Sequence, residues 1–129
     1  MLRAAAEPEV LDRVHALLEE LWAASPGGDE IDRVRFTTAV AELVANVVEH
    51  AGATVVELRV DGSAGELTAS LTDDGVQLPP GVLDAGWPPD DAEEGRGLAL
   101  ARAAATALSY RRDGTTNRWR VLVRPSAAG

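Results

Sequence analysis

The 129-residue chain contains no cysteine, and only His15 and His50 supply imidazole groups. Without cysteine there is no disulfide, no thiol nucleophile and no cysteine-ligated zinc. Two histidines are also too few for a multi-histidine metal centre. Any metal site is therefore expected to rely on oxygen ligands.

Lysine is also missing, because all 12 basic residues are arginine. A GxxxxGK[ST] phosphate loop and the strand lysine of a protein kinase both require it. If the chain binds nucleotide phosphates, it must use backbone N–H groups, arginine and a metal ion.

The sequence has no apolar run near the roughly 20 residues that span a bilayer. Its beginning, MLRAAAEPEVLD, lacks the long apolar core of a signal peptide, so we expect a cytoplasmic protein with no membrane partner. The formal net charge of −9 disfavours direct nucleic-acid binding, which needs a basic surface. At this length we expect one domain, 1–129.

The spacing of apolar and turn residues predicts an α+β fold, with helices packed on one face of a largely antiparallel sheet. We expect helices from Pro8 to Ala24, from Asp29 to Gly52, and over 95–108. The expected strands cover 1–6, 54–60, 66–72, 108–112 and 117–123. Residues 76–94 show no strong periodicity, and a loop of that length is usually functional or disordered.

The second helix contains ELVANVVEHA, residues 42–51. Glu42, Asn46 and Glu49 project from one side of it, opposite an apolar stripe. A solvated polar face explains either glutamate taken alone. Asn46 is a costly choice in a helix interior. A carboxylate and an amide oxygen on one face can instead hold a hard cation together.

Two further segments combine glycine with charged residues. LTDDGVQLPPG places Asp73 and Gly75 at a strand end, where an ordinary Asp-Gly turn is one interpretation. A buried Asp73 accepting a hydrogen bond from an exocyclic amine, such as that of adenine, is the other. EEGRGLALAR places Gly95 and Gly97 at a helix start, which is either a simple cap or an anion site built from free N–H groups.

In this order and spacing, the segments resemble the GHKL superfamily of nucleotide-binding domains, and within it the bacterial anti-sigma-factor serine kinases. The resemblance covers nearly the whole chain. It is carried by the N box, the two glycine boxes and a Gly-Thr pair before the last strand: Glu42, Asn46 and His50; Asp73 and Gly75; Gly95, Gly97 and Leu98; and Gly114-Thr115. The first glycine box usually contains a second glycine two residues after the first, and Gln77 stands at that position here.

The resemblance implies a Bergerat fold, a two-layer sandwich whose mixed, mostly antiparallel sheet is covered by helices on one face, with ATP and Mg²⁺ as cofactors. Asn46 would coordinate Mg²⁺ and Glu42 would be the general base. Asp73 would receive the adenine amine beside Gly75, with Thr115 nearby. The run 95–98, which includes Arg96, would meet the phosphates, and 76–94 would form the lid. His50 matches the N box, but a cation is favourable at any helix C-terminus.

The implied function is that of a serine/threonine-protein kinase acting as an anti-sigma factor. It would phosphorylate a small STAS-type anti-sigma-factor antagonist and regulate transcription by sequestering a sigma factor; a homodimer is compatible with this. A nucleotide-dependent binding module without phosphotransfer is an alternative. A detached sensor-kinase catalytic domain is another, although the phosphoacceptor-histidine helices and a long glycine-rich lid are missing.

Overall fold

The computed structural model describes residues 1–24, 29–63, 65–79, 81 and 96–125. Gly95 and most of the expected lid lie outside these residues. In chain order the described elements are β1 (Leu2–Ala5), α1 (Val10–Ala24), α2 (Glu30–His50), β2 (Val55–Ser63), β3 (Glu66–Asp73), α3 (Arg96–Ala104), β4 (Ala107–Asp113) and β5 (Thr116–Val123).

The five strands form one sheet in the order β1-β2-β3-β5-β4, and each described pairing is antiparallel. The predicted α+β class and antiparallel sheet are confirmed. Alternate residues of the strands point to one face and are buried against the helices. Phe36 and Val44 of α2 lie in the same buried cluster as Leu71 and Val121 of the sheet.

Helix α2 begins and ends where its sequence predicts. The side chain of Asp29 accepts a hydrogen bond from the Ile31 N–H at 2.8 Å, which satisfies one of the unpaired donors of the first turn. Ala51 is the C-terminal cap, and Gly52 follows with a φ of 64°, a conformation that favours glycine. The helix therefore presents residues 42–50 in a fixed orientation.

Helix α3 is shorter than its alanine-rich sequence predicts. It ends at Ala104 instead of 108, because the Thr106 N–H donates to the Leu122 carbonyl at 2.8 Å and β4 begins at Ala107. Arg35 of α2 also donates from Nε to the Ala104 carbonyl at 3.0 Å. Pairing with β5 thus overrides the local helix propensity of the alanines.

The arginines near the C-terminus are divided between the two faces of the sheet. Arg112 is half-buried and turns toward the helical side, where it takes part in a polar network. Arg111, Arg118 and Arg120 are exposed on the opposite side and line a concavity of about 460 Å³. Arg111 lies directly opposite Arg118 in the β4–β5 register, an unfavourable pairing of like charges.

Within the described ranges, no helix is both long and apolar enough to cross a membrane.

Candidate functional site

A cavity of about 420 Å³ lies between the C-terminal half of α2, the segment that follows β3, and the first turns of α3. Its volume is in the range of small-molecule sites, and most of its wall is apolar with a few polar groups. The lining residues are Asn46, Val47, His50, Ala51, Val76, Gln77, Leu78, Pro79, Leu98, Asn117 and Trp119. The N box and the second glycine box therefore meet at one cavity.

Helix α2 supplies the polar side of the cavity. Asn46 and His50, one turn apart, both line it. Glu42 lies a turn earlier and is half-buried against α3: a Cβ placed on Gly97 would be 3.0 Å from the Glu42 Oε2. The missing side chain of Gly97 thus allows the Glu42 carboxylate to approach the first turn of α3.

The start of α3 supplies the donors that an anion needs. Arg96 is its first described residue and is exposed, while Leu98 is buried and lines the cavity. The first N–H groups of a helix have no partner within it, and its positive end attracts negative charge. Gly95, which the sequence also assigns to this turn, lies outside the described residues.

Asp73 is 3% exposed at the end of β3, and three groups donate to its carboxylate. The Gly75 N–H and the Asn117 amide reach Oδ1 at 2.8 Å each, and the Trp119 indole N–H reaches Oδ2 at 3.0 Å. Asp73 is not among the residues that line the cavity, whereas Asn117 and Trp119 are. The predicted base-recognition carboxylate therefore lies behind these two side chains.

Asn117 connects Asp73 to the far edge of the sheet. Its amide oxygen accepts hydrogen bonds from the Tyr110 hydroxyl and from the Arg112 guanidinium. Arg112 also donates to the Gly75 carbonyl at 2.8 Å, and the Tyr110 hydroxyl accepts from the Leu78 N–H at 3.0 Å. This network fixes the segment after β3, whose residues 76–79 form one rim of the cavity.

These network residues were missed by the sequence-based prediction of the site. Both Asn117 and Trp119 fall in the expected strand 117–123, and neither was given a role at the site. One signal was available: Asn117 alternates with Trp119 on the buried face of β5, and a buried polar residue needs hydrogen-bond partners. Its register partner, Asp73, could not be identified without the strand order.

Other predicted positions differ in their proximity to the cavity. His50 and Gln77 line it. Thr115 is exposed in the turn between β4 and β5, and the β5 residue opposite Asp73 is Asn117. Thr115 is therefore displaced by two residues from the position that contacts the carboxylate.

Gly75 is required by a close approach of two backbone segments. A Cβ at this position would lie 2.5 Å from the Ala51 carbonyl oxygen and 2.7 Å from the Ala51 Cβ. The Val76 N–H donates to the same carbonyl at 2.8 Å. The absence of a side chain at Gly75 thus allows the end of β3 to approach the end of α2 beside the cavity.

Replacing Gly75 with Ala is therefore expected to lower the free energy of unfolding, toward the upper end of the roughly 1–3 kcal/mol typical of overpacking, because the nearest obstructing atom is the Ala51 backbone carbonyl oxygen. Urea unfolding measures this loss, and hydrogen exchange at the Val76 N–H should accelerate. Gly114→Ala is the control, since only its φ of 63° opposes a side chain there and no atom lies within 4 Å of the added Cβ. Equal losses in the two variants would contradict the close approach.

Asp74 is exposed and ties the end of β3 to the start of β2. Its carboxylate accepts hydrogen bonds from the Thr54 hydroxyl, the Thr54 N–H at 2.7 Å and the Val55 N–H at 3.1 Å. The Thr54 hydroxyl, followed by the two backbone donors, lowers the pKa of Asp74 from 3.8 to about 2.

A lowered pKa means that Asp74 stabilises the fold above pH 3.8, and that this contribution is lost as the pH falls from 3.8 toward 2. We expect Asp74→Asn to reduce the loss of stability of the protein over this interval. Urea midpoints at about pH 5 and about pH 2.5 test it by comparing wild type with the variant. An identical pH dependence in both proteins would exclude Asp74 as its source.

The donors at the site suit a nucleotide with Mg²⁺. Among the described residues, no cluster of three or more His, Asp or Glu side chains is placed to hold a metal ion. Mg²⁺ usually takes few protein ligands and completes its coordination with water and substrate phosphates. Asn46 lines the cavity, and its side chain carries an amide oxygen of the kind that meets this requirement.

A family model described as the histidine kinase-like ATPase domain matches residues 4–122. Comparison with curated proteins finds no match. The fold is similar to that of the RsbU and RsbW domains of Rv1364c from Mycobacterium tuberculosis, with a TM-score of 0.61 and 24% identity over 99% of this chain and 34% of that chain. It is also similar to the Erythrobacter litoralis EL346 blue-light activated histidine kinase, with a TM-score of 0.53 and 23% identity over 74% and 31% of the respective chains. The chain thus spans about a third of each solved structure.

Proposed function

Since the chain belongs to the histidine kinase-like ATPase domain family, we propose that it is an ATP- and Mg²⁺-dependent serine/threonine-protein kinase that acts as a cytoplasmic anti-sigma factor. Its substrate is a small STAS-type antagonist, and its second partner is a sigma factor that it sequesters. The observation that carries this proposal is the convergence of Asn46, Leu98 and the segment after Gly75 on one cavity, with Glu42 against the first turn of α3.

The cavity orients the nucleotide along its length. The base end lies toward Asp73, Asn117 and Trp119, and the phosphate end toward Asn46 and the start of α3. Bound ATP with Mg²⁺ supplies the phosphoryl group and the positive charge that offsets its oxygens. Asn46 would hold the metal through its amide oxygen, and the N–H groups at the start of α3, with Arg96, would position the phosphates.

Glu42 has the role of accepting the proton of the substrate serine hydroxyl. Its carboxylate lies beside Gly97, the second described residue of α3, and so stands next to the phosphate end of the cavity. A positioned carboxylate base is typically worth about 10²–10⁴ in rate. Leu98 and residues 76–79 line the same cavity.

Partner binding has a candidate surface on the other side of the sheet. Arg111, Arg118 and Arg120 surround the concavity there, while the whole chain carries a net charge of −9. An acidic partner would be repelled by most of the molecule and attracted to this face, which favours one orientation of docking.

A nucleotide-dependent binding module that transfers no phosphate is the second candidate. The observation that favours it is the departure from the family pattern at Gln77, which lines the cavity where a glycine is usual. Such a module would use the same cavity and the same partners, and only the chemical step would be missing.

The test is to incubate the protein with labelled ATP, Mg²⁺ and purified STAS-type antagonists, and to search for phosphoserine by mass spectrometry. Formation of phosphoserine that depends on Mg²⁺ supports the kinase. Binding of ATP and of an antagonist without phosphoserine leaves the binding module, and no ATP binding contradicts both.

A further inference from the structure

Trp119 lines the cavity and also bonds to the buried Asp73 carboxylate. The ring lines the cavity and is 4% exposed, and its N–H donates to the Asp73 Oδ2 at 3.0 Å. The other carboxylate oxygen is already engaged by the Gly75 N–H and the Asn117 amide. Among the described residues, the Trp119 indole N–H is the donor that bonds to Oδ2.

We propose that the Trp119 indole N–H competes with the exocyclic amine of adenine for Asp73, so that Trp119 sets both the affinity and the base selectivity of the cavity. The inference rests on the proposed nucleotide site and deepens it. An amine can donate to Oδ2 when the indole N–H withdraws. Guanine presents a carbonyl oxygen at the corresponding position, and two acceptors facing each other gain nothing.

The surroundings of Trp119 connect this exchange to the rim of the cavity. The Tyr110 ring lies 4.6 Å from the Trp119 ring, tilted by 56°. The Tyr110 hydroxyl accepts a hydrogen bond from the Leu78 N–H at 3.0 Å and donates one to the amide oxygen of Asn117. A displacement of the indole must therefore be accommodated by Tyr110, and through it by the segment after β3.

The variant that separates competition from simple packing is Trp119→Phe, which removes the N–H and keeps an aromatic ring. Isothermal titration with ATP and with GTP, each with Mg²⁺, should give a Kd for ATP about 10-fold lower than in wild type, equivalent to about 1.4 kcal/mol. The Kd for GTP should not change. Trp22→Phe is the matched control, because Trp22 packs against Phe36 outside the cavity and should leave both constants unaltered.

Wild-type protein provides a second measurement that does not depend on how the variant folds. In a ¹⁵N correlation spectrum, the Trp119 indole N–H signal should shift upfield on saturation with ATP, as its bond to the carboxylate is lost, and should respond less to GTP. An indole signal that ATP leaves in place overturns the proposal.

The titrations also distinguish this inference from the proposed function. Equal ATP affinity in wild type and Trp119→Phe, or a parallel gain for ATP and GTP, overturns the competition alone and leaves the nucleotide site intact. Tighter ATP binding in the variant without phosphoserine formation supports the competition and contradicts the kinase. Binding of ATP to neither protein overturns both.

Discussion

Replacing Glu42 with Gln is expected to lower the rate of phosphoryl transfer to serine by on the order of 10² or more, while ATP affinity stays close to that of wild type. Gln has nearly the same shape, so it keeps the packing against Gly97 and the entry to α3. What it loses is the ability to take a proton. Single-turnover transfer from labelled ATP to a STAS-type antagonist measures the chemical step directly.

Two variants on the same helix serve as controls for this result. Glu30→Gln changes an exposed glutamate in the first turn of α2, which does not line the cavity, and should leave both transfer and binding unchanged. Asn46→Ala should weaken Mg²⁺-dependent ATP binding together with transfer, because it removes the proposed metal ligand. If Glu42→Gln transfers phosphate at the wild-type rate, Glu42 does not accept the proton of the serine hydroxyl.

The sequence predicts the elements of this fold well because most of them are encoded locally. Asp29 and Gly52 mark the ends of α2, and alternation along β5 identifies Trp119, Val121 and Val123 as buried. Where the prediction failed, a distant partner decided the outcome. The alanines after Ala104 favour a helix by themselves, but hydrogen bonding to β5 makes the chain leave α3 and enter β4.

The site shows the same division between local and distant information. Spacing within α2 is sufficient to place Glu42 and Asn46 on one side of the helix. By contrast, the bonds of Asp73 to Asn117 and Trp119 join residues 44 and 46 positions apart, and they depend on β5 lying between β3 and β4. Local patterns carry no information about that strand order, so the Asp73 network emerges only from the structure.

Replacing Asp73 with Asn is expected to abolish the rise in melting temperature that ATP with Mg²⁺ produces, and also to destabilise the free protein. The carboxylate accepts from three donors. An amide in its place offers one acceptor oxygen and turns an NH₂ group toward a donor. Leaving a buried donor unpaired costs roughly 1–3 kcal/mol, so we expect a loss of about that size in the free energy of unfolding.

Because the variant is less stable, ligand binding must be measured where it is still folded. Thermal unfolding with and without ligand gives the stabilisation, which follows from mass action, and titration calorimetry below the variant's transition gives the Kd. Asp74→Asn is the matched control: the next residue is an exposed carboxylate bound to Thr54, so ATP should stabilise this variant as it does wild type. GTP should stabilise wild type little, since its base lacks the amine that Asp73 accepts. Equal stabilisation of wild type by ATP and GTP, or a full ATP effect in Asp73→Asn, would show that the base is recognised elsewhere in the cavity.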